Sequence, residues 1–337
     1  MSRFLVRPDD VLFNATNSPE GLGKSIVVGE LDEPAVFSNH FLRLRVDPAQ
    51  LDSHYLHRWL QAQFASGVFK AMARQWVNQA TVERIQLLSL AVPLPALAEQ
   101  RRIAAILDQA DALRNARREA LDLLAGLAPA LFEDLFRPIP RGATTFGDLA
   151  EVQGGLQVTS ARSKLPQSAP YLRVANVHRN QLDLSVVKDI QVTPVELART
   201  GLLEGDLLFV EGHANPLEVG RVAMWDGSIP GCTHQNHLIR GRLDTSRCHP
   251  VFATYWLNSP RGAAHFRREG KTTSGLNTIS ASTVRSAPML LPPIELQREF
   301  ATKVGEISAQ REAAQRSLAT LEDLLRSTQA RAFSGQL

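Results

Sequence analysis

The chain has 337 residues, 44% hydrophobic and 21% charged, with a formal charge of +3, the composition of an ordinary soluble protein with room for roughly two domains. No apolar run approaches the roughly 18 residues of a membrane span and residues 1–10 lack a signal-peptide core, so no membrane association and a cytoplasmic location are expected. Two cysteines, Cys232 and Cys248, are too few for a disulfide framework, and the small positive charge permits nucleic acid as a partner without demanding it.

In chain order, the first strand signal is Asp10-Val11-Leu12-Phe13, within a segment of apolar runs broken by Gly, Pro, Asn and Asp. A short helix is predicted around Trp59, and Val92-Pro93-Leu94-Pro95 marks a boundary. A long helix follows over residues 98–136, with a stripe through Ile103, Leu107, Ala110, Leu121, Leu124, Ala128 and Leu131. Alternating steps of four and three over several heptads are a coiled-coil seam. Pro129 is expected to end or kink this helix. Strands are predicted next over 171–177, 206–210 and 221–225, then a short helix around Trp256 and a boundary at Leu291-Pro292-Pro293. The second long helix, 295–333, carries a stripe through Phe300, Val304, Ile307, Ala314, Leu318, Leu321 and Leu325. Arg114 and Arg311 fall on the two seams, where they set register or snorkel into water.

The grammar repeats because the sequence does. Residue n set beside residue n + 197 aligns Asn39-His40 with Asn236-His237, Arg43 and Arg45 with Arg240 and Arg242, Trp59 with Trp256, Pro95 with Pro292, and Gln100-Arg101 with Gln297-Arg298. Upstream the register slips by one, pairing 10–13 with 206–209. A period this long signifies a duplicated domain rather than a solenoid. The expected fold is therefore α+β: two mixed α/β domains related by an internal repeat, joined by two long helices that form an antiparallel coiled coil. Pairing with each other buries both stripes, without which such helices are poorly stable.

This layout resembles the specificity subunits of type I restriction-modification systems. The resemblance rests on 93–103 (PLPALAEQRRI) and 291–298 (LPPIELQR) at the two helix starts, on Tyr171-Leu172-Arg173-Val174-Ala175-Asn176-Val177, and on Gly205-Asp206-Leu207-Leu208-Phe209 with its partner 10–13. It covers nearly the whole chain, and the order of motifs, repeated twice, carries it. It implies a target-recognition domain at 1–92, a spacer helix at 93–140, a second target-recognition domain at 141–291 and a second spacer helix at 292–337. Each domain would read half of a split sequence in double-stranded DNA, and the helices would set the gap. Modification subunits would bring adenine methylation and restriction subunits the motor and nuclease. S-adenosylmethionine, ATP and Mg are then expected on those partners and no cofactor in this chain. Unit two starts near residue 144, whose partner at 144 − 197 falls about 50 residues before Met1. The first domain is accordingly expected to lack its opening strands and to leave strand edges exposed. That leaves a second reading open, a shortened specificity protein acting only as a coiled-coil partner.

Reading bases takes Arg, Asn, Gln or Lys at groove edges, with other polar groups on phosphates. The leading candidates are Lys271, Thr272, Thr273, Ser274 and Asn277, with their repeat partners Arg74, Gln75, Asn78 and Gln79. Next come Arg173, Asn176, His178 and Arg179, then His213 and Asn215, with Arg162 and Lys164 as phosphate contacts. Arg240 and Arg242 recur as Arg43 and Arg45 and are expected to serve the shared fold instead. Catalytic and metal signals fail in detail. Gly23-Lys24-Ser25 lacks the first glycine of a P-loop, since residue 18 is Ser. Cys232, His234, His237 and Cys248-His249 match no common zinc spacing. Pro8-Asp9-Asp10 reads as a turn before a strand, and Asn215-Pro216-Leu217 is followed by Glu218, unlike an amino-methyltransferase motif. A fused nuclease or methyltransferase would need such a site, so the chain is expected to carry no catalytic centre.

Overall fold

The computed structural model describes residues 4–75, 79–137, 139, 143–273 and 275–336. The chain divides into two compact units, residues 1–121 with 313–337 and residues 122–312. The predicted mixture of strands, short helices and two long helices is present. Among the described residues no helix is long and apolar enough to cross a membrane.

Unit 1 opens with β1 (Val11–Asn14), β2 (Thr16–Asn17), β3 (Ser25–Val27) and β4 (Phe41–Leu44). Helices α1 (Ser53–Ala65) and α2 (Val68–Met72), strands β5 (Arg74–Gln75) and β6 (Ala80–Thr81), α3 (Arg84–Leu88) and the long α4 (Leu97–Phe136) follow. β1 is the centre of an antiparallel sheet, order β3-β1-β4. Alternation sends Val11 and Phe13 inward, both at 0% exposure, to meet Leu56, Trp59 and Leu60 of α1 and Phe69 of α2. Asp52 caps α1 by accepting from the Tyr55 amide at 3.1 Å.

Unit 2 contains β7 (Ala150–Gly154), β8 (Gln167–Leu172), β9 (Val177–His178), β10 (Gln181–Leu182), β11 (Lys188–Val192), α5 (Pro194–Thr200), β12 (Leu207–Val210), β13 (Gly212–His213) and β14 (Val222–Met224). It continues with β15 (Thr233–His234), β16 (Leu238–Leu243), α6 (Pro250–Asn258), α7 (Pro260–Glu269), β17 (Lys271–Thr273), β18 (Leu276–Thr278), α8 (Ala281–Arg285) and α9 (Ile294–Phe333). The sheet equivalent to that of unit 1 is β14-β12-β16 with β7 added on the far side of β16. A second sheet, β11-β8-β15, covers its other face. β12 is consequently buried throughout, Leu207 and Phe209 in one apolar cluster, Leu208 and Val210 in another. Among the described residues of unit 1 no strand pairs with the outer edge of β4, whose side chains are only half-buried.

The duplication is visible in side chains. Asp10 accepts Arg45 Nε at 2.6 Å and Nη2 at 2.7 Å, and Asp206 accepts Arg242 Nε at 2.8 Å and Nη2 at 2.7 Å. Each carboxylate also accepts a backbone N–H, from Arg7 and Leu203. Gly23 and Gly220 hold φ of +92° and +74°, and a Cβ on either would lie 2.4 Å from the ring of Phe69 or Phe266. Those rings pack edge-on against Phe13 and Phe209. Residues 23–25 are thus a tight turn into β3. Arg240, 1% exposed, binds Glu151 and Gln153 of β7 and the carbonyls of Arg199 and Gly201, so it serves the fold as expected.

The long helices match the expected 98–136 and 295–333 to within one residue at their starts. Gln100 and Gln297 lock each to its own unit. Gln100 Oε1 accepts the Asp52 amide at 2.9 Å while Nε2 donates to Gln50 and Pro95 carbonyls. Gln297 repeats this with His249, Arg247 and Pro292. In unit 1 the start of α4 pairs with the end of α9 through Ile103, Ala104, Leu107, Leu325 and Ala332, with an Arg118–Glu322 ion pair farther along. In unit 2 Phe132 and Phe136 of α4 pack on Phe300 of α9, centroids 5.4 and 5.6 Å apart. Both pairings are antiparallel. Two expectations need correction. Pro129 does not end α4, which continues to Phe136 because Ala128, Phe132 and Phe136 are held in the unit 2 core. The strand expected over 171–177 breaks at Arg173, whose amide donates to Asn176 Oδ1 at 2.9 Å and starts a tight turn.

Candidate nucleic-acid interface

The leading candidate loop of unit 2 is a β-hairpin. β17 and β18 pair antiparallel, Lys271 opposite Thr278 and Thr272 opposite Asn277, and Gly275, φ +82°, lies at the turn. β13 adds a third strand, giving the order β13-β18-β17. Because Glu211 joins β12 to β13, the central strand of the core runs almost directly into this ribbon, and the Ile279 amide returns to Glu211 O at 2.8 Å. Asn277 Nδ2 donates to Ala214 O at 3.1 Å and His213 O at 3.4 Å, tying the ribbon to the 213–217 loop. Within the loop the Asn215 amide donates to His213 Nδ1 at 3.0 Å, which leaves Nε2 to carry the proton of the neutral ring. Asn215 Oδ1 accepts the Leu217 amide at 3.0 Å.

Arg179 anchors the other side of that loop. Its guanidinium donates to Leu217 O, and to Asn258 Oδ1 at 3.2 Å, with Glu218 at 3.8 Å. Burial, then the nearby Arg221 and Arg267, push its pKa below the usual arginine value, against the pull of Glu218. Glu218 is thus shared by Arg179 and Arg221, at 3.8 and 3.0 Å. His178, beside Arg179, is exposed.

Unit 1 has the same ribbon in smaller form, order β2-β6-β5, with Thr16 and Arg74 both opposite Thr81. Arg74, Gln75 and Gln79 are exposed. Asn78 and Ser274 lie outside the described residues. Thr272 and Thr273 lie in β17, beside the exposed Lys271. The structure thus brings together Lys271, Thr272, Thr273, Asn277, His213, Asn215 and Arg179.

Other candidates lie in the layer formed by β8–β11 and are engaged there. Asn176, 2% exposed, uses its amide on Arg173 N, Asp183 O and Val186 O, so it braces a turn and has no free edge for a base. Arg173 is half-buried and donates to Val186 O. Arg162 forms a fork with Glu196 at 2.8 and 3.2 Å and donates to Gln157 and Gln191 carbonyls. That fork and the Thr193 amide hold the Glu196 carboxyl down to about 2. Burial and this pairing engage Asn176 and Arg162 within the layer. Lys164 is exposed. Two exposed cations that the motifs did not single out stand beside the ribbons, Lys70 at the end of α2 and Arg267 near the end of α7. Their signal was in the repeat register, since 70 + 197 is 267.

Cys232 and Cys248 are buried in different apolar clusters, and burial pushes both thiols up to about 12. Among the described residues no three His, Cys, Asp or Glu side chains gather as a metal site.

Residues 4–123 match the family model described as the type I restriction modification DNA specificity domain. The chain is 28% identical over 274 residues to the EcoKI specificity subunit of Escherichia coli (strain K12), covering 73% of this chain and 57% of that protein. It is 26% identical over 267 residues to the StySPI specificity subunit of Salmonella potsdam, again 73% of this chain and 57% of the relative. The chain therefore matches little more than half the length of these relatives. Among solved structures, one described as the structural basis of complex assembly and conformational transition of the type I R-M system superposes with a TM-score of 0.62, at 17% identity over 99% of this chain and 83% of that one. The type I restriction-modification S subunit from M. genitalium superposes with a TM-score of 0.59, at 13% identity over 99% and 85%. At these identities the likeness is one of fold.

Proposed function

We propose, for a chain that belongs to the type I restriction-modification specificity family, that it recognises a specific sequence in double-stranded DNA and directs partner subunits to it. The observation that carries this reading is the ribbon β13-β18-β17 and its counterpart β2-β6-β5, each leading out of an equivalent core sheet and each bearing exposed polar or basic side chains. The two-stranded hairpin β17–β18 at its edge suits the major groove, and its backbone is braced by Asn277 before any ligand arrives. Two ribbons on two units favour a bipartite target, one half per unit. The seam of α4 and α9 then serves as the spacer between the halves.

On this reading the chain performs no chemistry. Adenine methylation with S-adenosylmethionine resides on modification subunits, ATP- and Mg-dependent translocation and cleavage on restriction subunits, and the assembly works in the cytoplasm. The ribbon, the 213–217 loop and Arg179 orient DNA, while Lys164 and His178 extend the basic surface. The test is a methylome. The chain is expressed with its modification subunit in a host without adenine methylation, and modified adenines are mapped. A split, asymmetric motif is expected. A single half-site in inverted repeat would mean that one unit alone reads DNA, as a dimer. No new methylation with soluble subunits would overturn DNA recognition and favour a coiled-coil interaction protein.

A further inference from the structure

Unit 1 and unit 2 place a pair of cations at equivalent points: Lys70 and Arg74 in one, Arg267 and Lys271 in the other. All four side chains are exposed. The first of each pair follows a fully buried ring, Phe69 or Phe266, that is pressed over a positive-φ glycine and against the core phenylalanine of β1 or β12. The second opens the outer strand of the ribbon, β5 or β17. The duplicated packing fixes where the backbone of each cation sits. Arg267 also lies close enough to Arg179 to depress its pKa, so it is not an isolated charge.

Neighbouring exposed positions behave differently. Ala71 stands where Arg268 does, and Gln79 where Leu276 does. Chemistry diverges at these two positions while the cations persist, exchanged only between Lys and Arg. Two ribbons reading different bases require divergent side chains at base edges, yet both meet the same sugar–phosphate chain. A feature held constant between the two is what an interaction with the constant part of the ligand requires.

We infer that Lys70 with Arg74, and Arg267 with Lys271, are paired clamps for DNA backbone phosphates that seat each ribbon in its groove without contributing to sequence choice. This rests on the proposed DNA recognition and assigns to it two residues, Lys70 and Arg267, that no sequence motif marks. Lys70 and Arg267 act as positioning residues, whereas sequence choice belongs to the other residues of the ribbon and to the 213–217 loop.

The test is fluorescence anisotropy of the full chain with two labelled duplexes of unrelated sequence, across a sodium chloride series. Lys70→Ala, Arg267→Ala and the double variant are compared with the wild type. Removing one cation from a phosphate reduces the slope of log K against log salt by about 0.9. The expected result is that decrement per substitution, additive in the double variant, with affinity for both duplexes falling by the same factor. The exchanges Lys70→Arg and Arg267→Lys restore the slope. Thermal melting stays at the wild-type value, because both side chains are exposed. An unchanged slope in variants that bind DNA would overturn the clamp and leave DNA recognition standing. A weakening confined to one duplex would also overturn it, by making these residues base readers. A wild type with no salt-dependent duplex binding would overturn DNA recognition, and the clamp with it.

Discussion

Asp206 and Asp10, each 1% exposed, show what an isolated pair of residues contributes at equivalent points of the two units. Each takes two hydrogen bonds from an arginine and one from the backbone, so replacement removes three hydrogen bonds at once. Asp206→Ala is expected to lower unfolding free energy by about 2–3 kcal/mol in urea melts, because charge-assisted hydrogen bonds disappear. Glu196 gives the clearest dependence on pH. Its carboxyl is held down to about 2 by the Arg162 fork and the Thr193 amide, from an ordinary value of 4.5. A depressed carboxylate stabilises the fold fully above its unfolded pKa, and that stabilisation disappears as pH falls through the folded value. The melting-temperature gap between wild type and Glu196→Gln is therefore expected to be constant above pH 4.5 and to close between there and about pH 2. A gap that persists at the acid end would show that Glu196 acts through packing instead. Gly220→Ala meets both a positive φ and the Phe266 ring. A destabilisation of about 3 kcal/mol or more is expected, and Gly23→Ala should match it in unit 1.

Among the elements, α4 carries an internal proline yet is as long as α9. Pro129 removes one helical hydrogen bond, and the aromatic packing of Phe132 and Phe136 with Phe252 and Phe300 holds the helix together beyond it. Pro129→Ala is expected to raise stability by about 1–3 kcal/mol, read as a later urea midpoint with helical signal unchanged or higher. Phe136→Ala works in the other direction, costing about 3–5 kcal/mol through the cavity it opens. Gln100 and Gln297 act at the opposite ends of the helices. Each is buried and joins its helix start to the turn before α1 or α6 by two hydrogen bonds, with a third to the proline carbonyl just ahead of its own helix. The recurrent Gln-Arg in the sequence is thus a joint, and the polar residue in an apolar setting is explained by backbone groups that would otherwise go unpaired.

For the whole molecule, the two units share a plan but differ in what covers it. The core sheet of unit 2 is sandwiched between α6 with its neighbours on one face and β11-β8-β15 on the other. In unit 1 the described residues supply one covered face, and β4 has no partner among them on its outer edge. Less buried apolar surface per strand means easier local opening. Amide hydrogen exchange is accordingly expected to be faster in β1 than in β12, measured by mass spectrometry on peptides spanning each. Equal protection would mean that the second layer adds nothing to the stability of β12.

The sequence by itself determined the duplication, the long helices and their seams, and the boundary residues that join them. Those features are local or periodic. Heptad steps, a proline pair, and matched residues at a fixed separation can be read without knowing what touches what. It also singled out residues 271–278 as a polar loop, without showing that they pair as strands. Tertiary structure alone decided which polar residues face solvent. Asn176 and Arg162 share chemistry with Asn277 and Lys271, but their partners, Asp183, Val186 and Glu196, are assigned by how the β8–β11 layer closes. Lys70 and Arg267 were legible only as one more match in a long register until packing put each behind a buried phenylalanine and beside a ribbon. Periodicity states which face of an element is apolar. Whether a polar side chain is spent on a neighbour or left for a ligand depends on contacts between residues far apart in the chain, and those exist only in the folded molecule.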